Sequence, residues 1–127
     1  MHNNFISEYF FEEDRSREGR TMLKAKVGEV HISRVTIDAN AVVGNLVFKT
    51  TFLMCFMEFG RVRLKCVDLE SKLEKELIME PGNHVVHIPP GVGFAMKNLD
   101  SKGSLLVVFS NKPLRSKDDE EIIVIEE

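Results

Sequence analysis

Cysteine is scarce in this sequence, and so are the other markers of common chemistries. Cys55 and Cys66 both lie inside apolar runs and form no Cys-x-x-Cys pair. A disulfide framework is therefore not expected, and a reduced, cytoplasmic setting fits. Positive charge is also thin. Net charge is −3, and no basic block is large enough to neutralise a run of phosphates, so nucleic acid is not an expected partner. No apolar run approaches the roughly 20 residues that span a bilayer. The N-terminus lacks a basic stretch followed by an apolar one, so neither a membrane association nor a secretory signal is expected. Internal repeats and low-complexity tracts are absent.

What is present is the material of one soluble domain. A chain of 127 residues fits a single domain. It can bury roughly two-thirds of its unfolded surface, which removes any need for a disulfide or metal to fold. Hydrophobic residues at 43% and charged residues at 29% match that class.

Residues 1–20 read as an N-terminal arm, polar and charged around the apolar knot Tyr9, Phe10 and Phe11, with a loop over 14–20. Residues 21–127 read as the folded body. From Thr21 onward, short β-rich runs alternate with turn signals at intervals of about ten residues, the pattern of an all-β sandwich or barrel. Strands are expected near 21–26, 30–36, 42–48, 52–59, 61–69, 74–79, 84–88, 93–98, 104–110 and 121–126. In 61–68, apolar Val62, Leu64 and Cys66 alternate with Arg61, Arg63 and Lys65, a period of two with one wet face. The run 52–59 is apolar on both parities until Glu58, which suits a strand covered on both sides, with a partner subunit as one cover. Residues 70–79 carry good helix formers, with Leu69, Leu73 and Leu77 four apart. A hairpin is the preferred reading there, because Pro81 and Gly82 end the run and β segments flank it.

Two stretches have the spacing of a known motif pair. Gly82, Pro89, Gly91, Phe94 and Asn98 follow the second cupin motif, with Phe94 at the key position. Gly44 through Gly60 follow the first, with Leu46, Phe48 and Leu53 at its histidine, histidine and glutamate positions. The chain thus resembles a single-domain cupin, an all-β jelly-roll barrel also described as a double-stranded β-helix. Within that superfamily it is most similar to small cupins related to dTDP-sugar epimerases and ketoisomerases. Gly44, Asn45 and Lys49 fall on their Gly-x-His-x-His-Lys type segment, residues 88–99 on their proline-glycine stretch, and residues 11–15 weakly on their Phe-x-Asp-x-Arg-Gly segment. The likeness covers about residues 10–125.

That resemblance implies a metal-binding or acid-base site at the barrel mouth. Leu46, Phe48, Leu53 and Phe94 offer no lone pair to an ion and no group to move a proton. No metal and no cofactor are therefore expected. By period two, Leu46, Phe48, Leu53, Cys55, Met57, Phe94 and Met96 should all face the interior. They either fill it as packed core or line a pocket for an apolar ligand.

The polar candidates are few. His84 and His87, three apart, should point to opposite faces of a strand. His87 is the one weak candidate base, placed near the mouth, with a surface histidine as the plainer reading. His31 and His2 have no evident partner. Lys49 and Arg34 are the weak candidates for a nucleotide phosphate; Arg61 and Arg63 fit a solvated strand face as well. Cys55 and Cys66 read as buried small hydrophobes. Tyr9, the one tyrosine, is in the arm and a poor match for the catalytic acid of the epimerases.

The resulting expectation is a divergent cupin of the sugar-nucleotide epimerase and ketoisomerase type, tied to cell-surface polysaccharide synthesis but without the usual catalysis. The alternative is a non-catalytic cupin that binds a small apolar ligand or acts as an interaction or structural protein. Expected partners are a small molecule, either a nucleotide sugar or an apolar compound, and a second copy of the chain. The dimer would form through the N-terminal arm or the face formed by residues 52–59.

Overall fold

The computed structural model describes residues 5–114 and 118–125. Its strands are β1 (Glu12–Asp14), β2 (Arg20–Val27), β3 (Val30–Ile37), β4 (Val42–Phe48), β5 (Leu53–Phe59), β6 (Val62–Asp68), β7 (Glu74–Met79), β8 (Val86–Ile88), β9 (Val92–Asn98), β10 (Ser104–Ser110) and β11 (Asp119–Glu121). They form a six-stranded sheet in the order β1-β2-β3-β10-β5-β8 and a five-stranded sheet in the order β11-β4-β9-β6-β7. Every pairing is antiparallel. The described residues contain no helix long and apolar enough to cross a membrane.

The core lies between the two sheets. Alternate residues of each strand face inward, as a strand's period of two requires. Met22, Val35, Ile37, Leu106 and Val108 come from the larger sheet, and Leu46, Phe48, Leu64, Phe94 and Met96 from the smaller one. The segment 70–79 is settled as a hairpin. β7 pairs with β6 from Val62↔Met79 to Val67↔Glu74, and the turn between them holds Lys72 at a φ of 66°. Cross-strand ion pairs Arg63–Glu76 and Lys65–Glu74 lie on its wet face, so charges that favour a helix locally serve a sheet.

Two expectations about elements need correction. β1 was not expected, because Glu12, Glu13 and Asp14 carry no apolar alternation; it forms as an edge strand paired to Lys24, Leu23 and Met22. The strand expected over 121–126 is displaced. β11 covers only Asp119–Glu121 against β4, residues 122–125 leave the ladder, and Glu126 falls outside the described residues. The departing residues turn over the outer face of the smaller sheet. There Val124 and Ile125 bury against Ala95, with Ile122 packed beside them.

The capture of that strap starts from a bulge. The β4–β9 register shifts between Gly44 and Leu46, leaving Asn45 unpaired with a φ of 56°. Its amide side chain then takes up the backbone of Val124 and Ile125.

Candidate functional site

The four positions that would carry a cupin's ligands converge on one point. Leu46 and Phe94 are register partners on β4 and β9, and the rings of Phe48 and Phe94 stack with centroids 6.1 Å apart. Leu53 enters from β5 on the opposite sheet, and all four side chains are buried. They surround a cavity of about 160 Å³ whose further walls include Met22, Val35, Met96, Leu106, Val108 and Leu114. The interior is thus only partly filled.

The charged part of the cavity lining, in which one guanidinium nitrogen of Arg20 is buried, is formed by Arg17, Glu18 and Arg20. Arg17 lies 3.7 Å from Asp119, which ties the segment before β2 to β11. These lining residues were missed because residues 14–20 carry the composition of a solvated loop, whereas Arg20 opens β2 on the same parity as buried Met22. Only the closure of the sheets brings that loop over the barrel mouth.

Cys55 and Met57 also face inward and are buried in the same core, yet they do not line the cavity. Burial pushes the Cys55 thiol up to about 12, and the neighbouring Cys66 adds to the effect. Its Sγ lies 3.7 Å from the Val86 carbonyl oxygen. Burial raises Cys66 as well. Neither thiol is set up as a nucleophile, which needs a depressed pKa and access.

The polar candidates do not assemble. His87 is exposed on the outer face of β8, its ring edge-on to Phe52 at 5.8 Å, while Ile88 beside it takes the inward position. The placement near the interior is therefore corrected: strand parity turns His87 away. Lys49 is exposed just past β4, and its amide donates to the Asp118 carbonyl at 3.0 Å. Arg34 stands on the outer face of β3, 3.7 Å from Glu58. None of the three lines the cavity.

What survives of the motif pair is its backbone machinery. Asn98 is completely buried; its Nδ2 donates toward the carbonyls of Ile37, Asp38 and Lys102 at 3.0, 3.1 and 2.8 Å. Its Oδ1 accepts from the Asp100 amide at 2.9 Å and the Ser104 hydroxyl at 2.7 Å. Gly60 has a φ of 84°, and a Cβ there would run into the Ser104 side chain. Asn98 and Gly60 hold loops and strand ends, a task independent of what fills the barrel.

No protein-family model and no curated protein matches the sequence. Solved structures do. The chain is similar to the capsular polysaccharide assembling protein CapF from Staphylococcus aureus, with a TM-score of 0.75 at 14% identity over 94% of this chain and 33% of that one. It is equally similar to an oxalate decarboxylase variant from B. subtilis, with a TM-score of 0.76 at 15% identity over 95% of this chain and 34% of that one. An oxalate oxidase aligns with a TM-score of 0.66 at 15% identity, covering 77% of this chain and 53% of the other.

The chain has the cupin fold.

It spans about a third of the length of CapF and of oxalate decarboxylase. Against the metal centre that metal-dependent cupins place at the barrel mouth, the residues present do not fit. A divalent ion among Leu46, Phe48, Leu53 and Phe94 would lose its hydration shell and gain no donor in return. Among the described residues, no cluster of three or more His, Cys, Asp or Glu side chains offers an alternative.

Proposed function

We propose that this chain is a metal-free, non-catalytic cupin whose barrel binds a small apolar molecule. The observation that carries the reading is the cavity itself: about 160 Å³, walled largely by leucine, valine, methionine and phenylalanine, with Arg17, Glu18 and Arg20 as its charged part. An enclosed apolar cavity of about 150 Å³ takes up benzene; this space has a similar volume and is partly open, so a ligand of that size can enter it. Phenylalanine and methionine provide a wall that adapts to ligand shape. Acid-base catalysis needs a titratable group within hydrogen-bond reach of the substrate. Among the described residues lining this cavity there is no histidine, cysteine, tyrosine or aspartate, and Glu18 is the single carboxylate.

A second reading, descent from sugar-nucleotide cupins of polysaccharide assembly, draws support from the segments around Gly44 and Pro89 and from the fold likeness to CapF. Its polar groups count against present activity of that kind. Lys49 and Arg34 stand apart from the cavity, and His87 faces outward.

Thermal denaturation separates the two. Benzene or toluene should raise the melting temperature by several degrees near saturation, since a ligand of the native state stabilises it by mass action. A shift with dTDP-sugars or free nucleotides, and none with the small aromatics, would overturn the apolar-ligand reading.

A further inference from the structure

The charges in the cavity lining differ in burial. Glu18 is exposed, whereas Arg17 and Arg20 are half-buried. Arg20 opens β2 with Ile37 of β3 as its register partner, and both Ile37 and the next inward residue of β2, Met22, are buried in the core. One guanidinium nitrogen of Arg20 is itself buried. Strand parity thus sets one cation on the inner face of the larger sheet, beside a space walled largely by hydrocarbon.

Among the described residues, the neighbouring anions are engaged elsewhere or lie in water. Asp119 stands 3.7 Å from Arg17. Asp14 accepts from the Ser16 amide at 2.8 Å and lies 4.0 Å from Lys24. Glu18 faces solvent, which screens its charge. A guanidinium carries five N–H donors in a planar fork, so Arg20 can hold a ligand's carboxylate while keeping a partner in its own chain.

An occupant that is hydrocarbon throughout uses the apolar walls and makes no use of this cation. A small acid uses both. Its apolar body covers the stacked rings of Phe48 and Phe94, and its carboxylate meets the guanidinium through two parallel hydrogen bonds, which gain strength in a low-dielectric surround. A phosphate monoester suits the site less well. It brings close to two negative charges to one inward-facing cation, and Arg17 is already paired with Asp119. The volume of about 160 Å³ sets the size of the body at one ring or a short branched chain.

We infer that the cavity takes a small apolar carboxylic acid in its ionised form, with Arg20 holding the carboxylate. This rests on the proposed binding of a small apolar molecule and narrows that molecule to one chemical class. The hydrocarbon wall then supplies affinity, and Arg20 selects the charged head.

Calorimetric titration of the full chain with benzoate, benzamide and toluene tests the inference. Benzoate and benzamide share a ring and a planar head and differ in charge, so the ratio of their affinities reports the cation. Wild type should bind benzoate at least about tenfold more tightly than benzamide, the scale of a charged hydrogen bond over a neutral one. Arg20→Gln should bring the two affinities together. Arg20→Lys, which keeps the charge and loses the fork, should give an intermediate ratio. Equal affinities in the wild type, a comparison that needs no variant, would overturn the role of Arg20 even if toluene binds and the cavity reading stands. A preference for benzoate that survives Arg20→Gln would overturn it as well. Failure of all three compounds to bind would remove the cavity reading and this inference with it.

Discussion

Asn45 holds Ile125 by both of its backbone groups. Nδ2 donates to the Ile125 carbonyl at 3.1 Å while Oδ1 accepts from the Ile125 amide at 2.9 Å and from Val124 at 2.8 Å. The two residues are 80 positions apart. The contact fastens the C-terminal strap over Ala95 and Gly93, where a Cβ on Gly93 would collide with Ile122. A one-residue bulge in β4 thereby decides where the end of the chain lies.

Asn45→Ala should cost about 2–4 kcal/mol in urea denaturation, combining the strap's unsatisfied backbone groups with a left-handed backbone that alanine adopts poorly. Asn45→Gly keeps the conformation and should cost less. In both variants, hydrogen exchange at residues 122–125 should accelerate more than in β10. Equal acceleration everywhere would mean that the strap is not a separate unit.

Asn98→Ala should be the most damaging single change in the motif, at about 3–4 kcal/mol, because it strands several buried carbonyls together with the Ser104 hydroxyl. Asn98→Asp should be comparably harmful, since a carboxylate would face those carbonyls with no donor to offer. Stability near wild type in either variant would contradict the structural role given to this residue.

The convergence of Leu46, Phe48, Leu53 and Phe94 is open to a constructive test. Phe94→His alone should bind no divalent ion and should lower stability by about 2–4 kcal/mol through lost packing and a buried imidazole. Leu46→His, Phe48→His, Leu53→Glu and Phe94→His combined should gain an ion-dependent increase in melting temperature with zinc or manganese, because metal binding to the native state adds directly to folding stability. Absence of that gain would show that the four Cβ positions do not enclose a metal-sized point.

Asp118 gives the fold an acid-sensitive clasp. The Thr51 hydroxyl, then the hydroxyl and amide of Thr50 at 2.7–2.8 Å, with Lys112 nearby, hold its carboxyl well below the usual carboxylate range. A pKa depressed in the folded state contributes stability that is present above the unfolded value of about 3.9 and is lost as pH falls through the folded one. Wild type should therefore lose stability in acid more steeply than Asp118→Asn. Parallel acid limbs for the two proteins would show that the clasp is not linked to pH.

Much of this fold was legible in the residues themselves. Val62, Leu64 and Cys66 against Arg61, Arg63 and Lys65 mark β6 without any tertiary information, because the strand period alone sorts inside from outside. β4, β7 and β10 fall on their expected ranges as well, β7 because Pro81 and Gly82 end its run and β10 because turn residues bound a β-branched apolar stretch. Residues 122–125 misled because a β-branched run is equally apolar whether it pairs in a ladder or lies across one, and the choice rests with Asn45, 80 residues away. His87 needed an exact strand register to place. Arg17, Glu18 and Arg20 gave no signal, since a charged loop looks the same over a cavity as over open solvent.

The replacement of ligand positions by hydrocarbon could be read from the spacing of Leu46, Phe48, Leu53 and Phe94 against the glycines, Pro89 and Asn98. The sequence by itself therefore determined the barrel and the side-chain types at its motif positions, because both depend on residue type at periodic or motif-spaced positions. Only the tertiary structure decided that the four side chains leave about 160 Å³ open between them and that Arg17, Glu18 and Arg20 join its lining. Volume and closure depend on how two curved sheets meet, and that distance is encoded in no single segment of the chain.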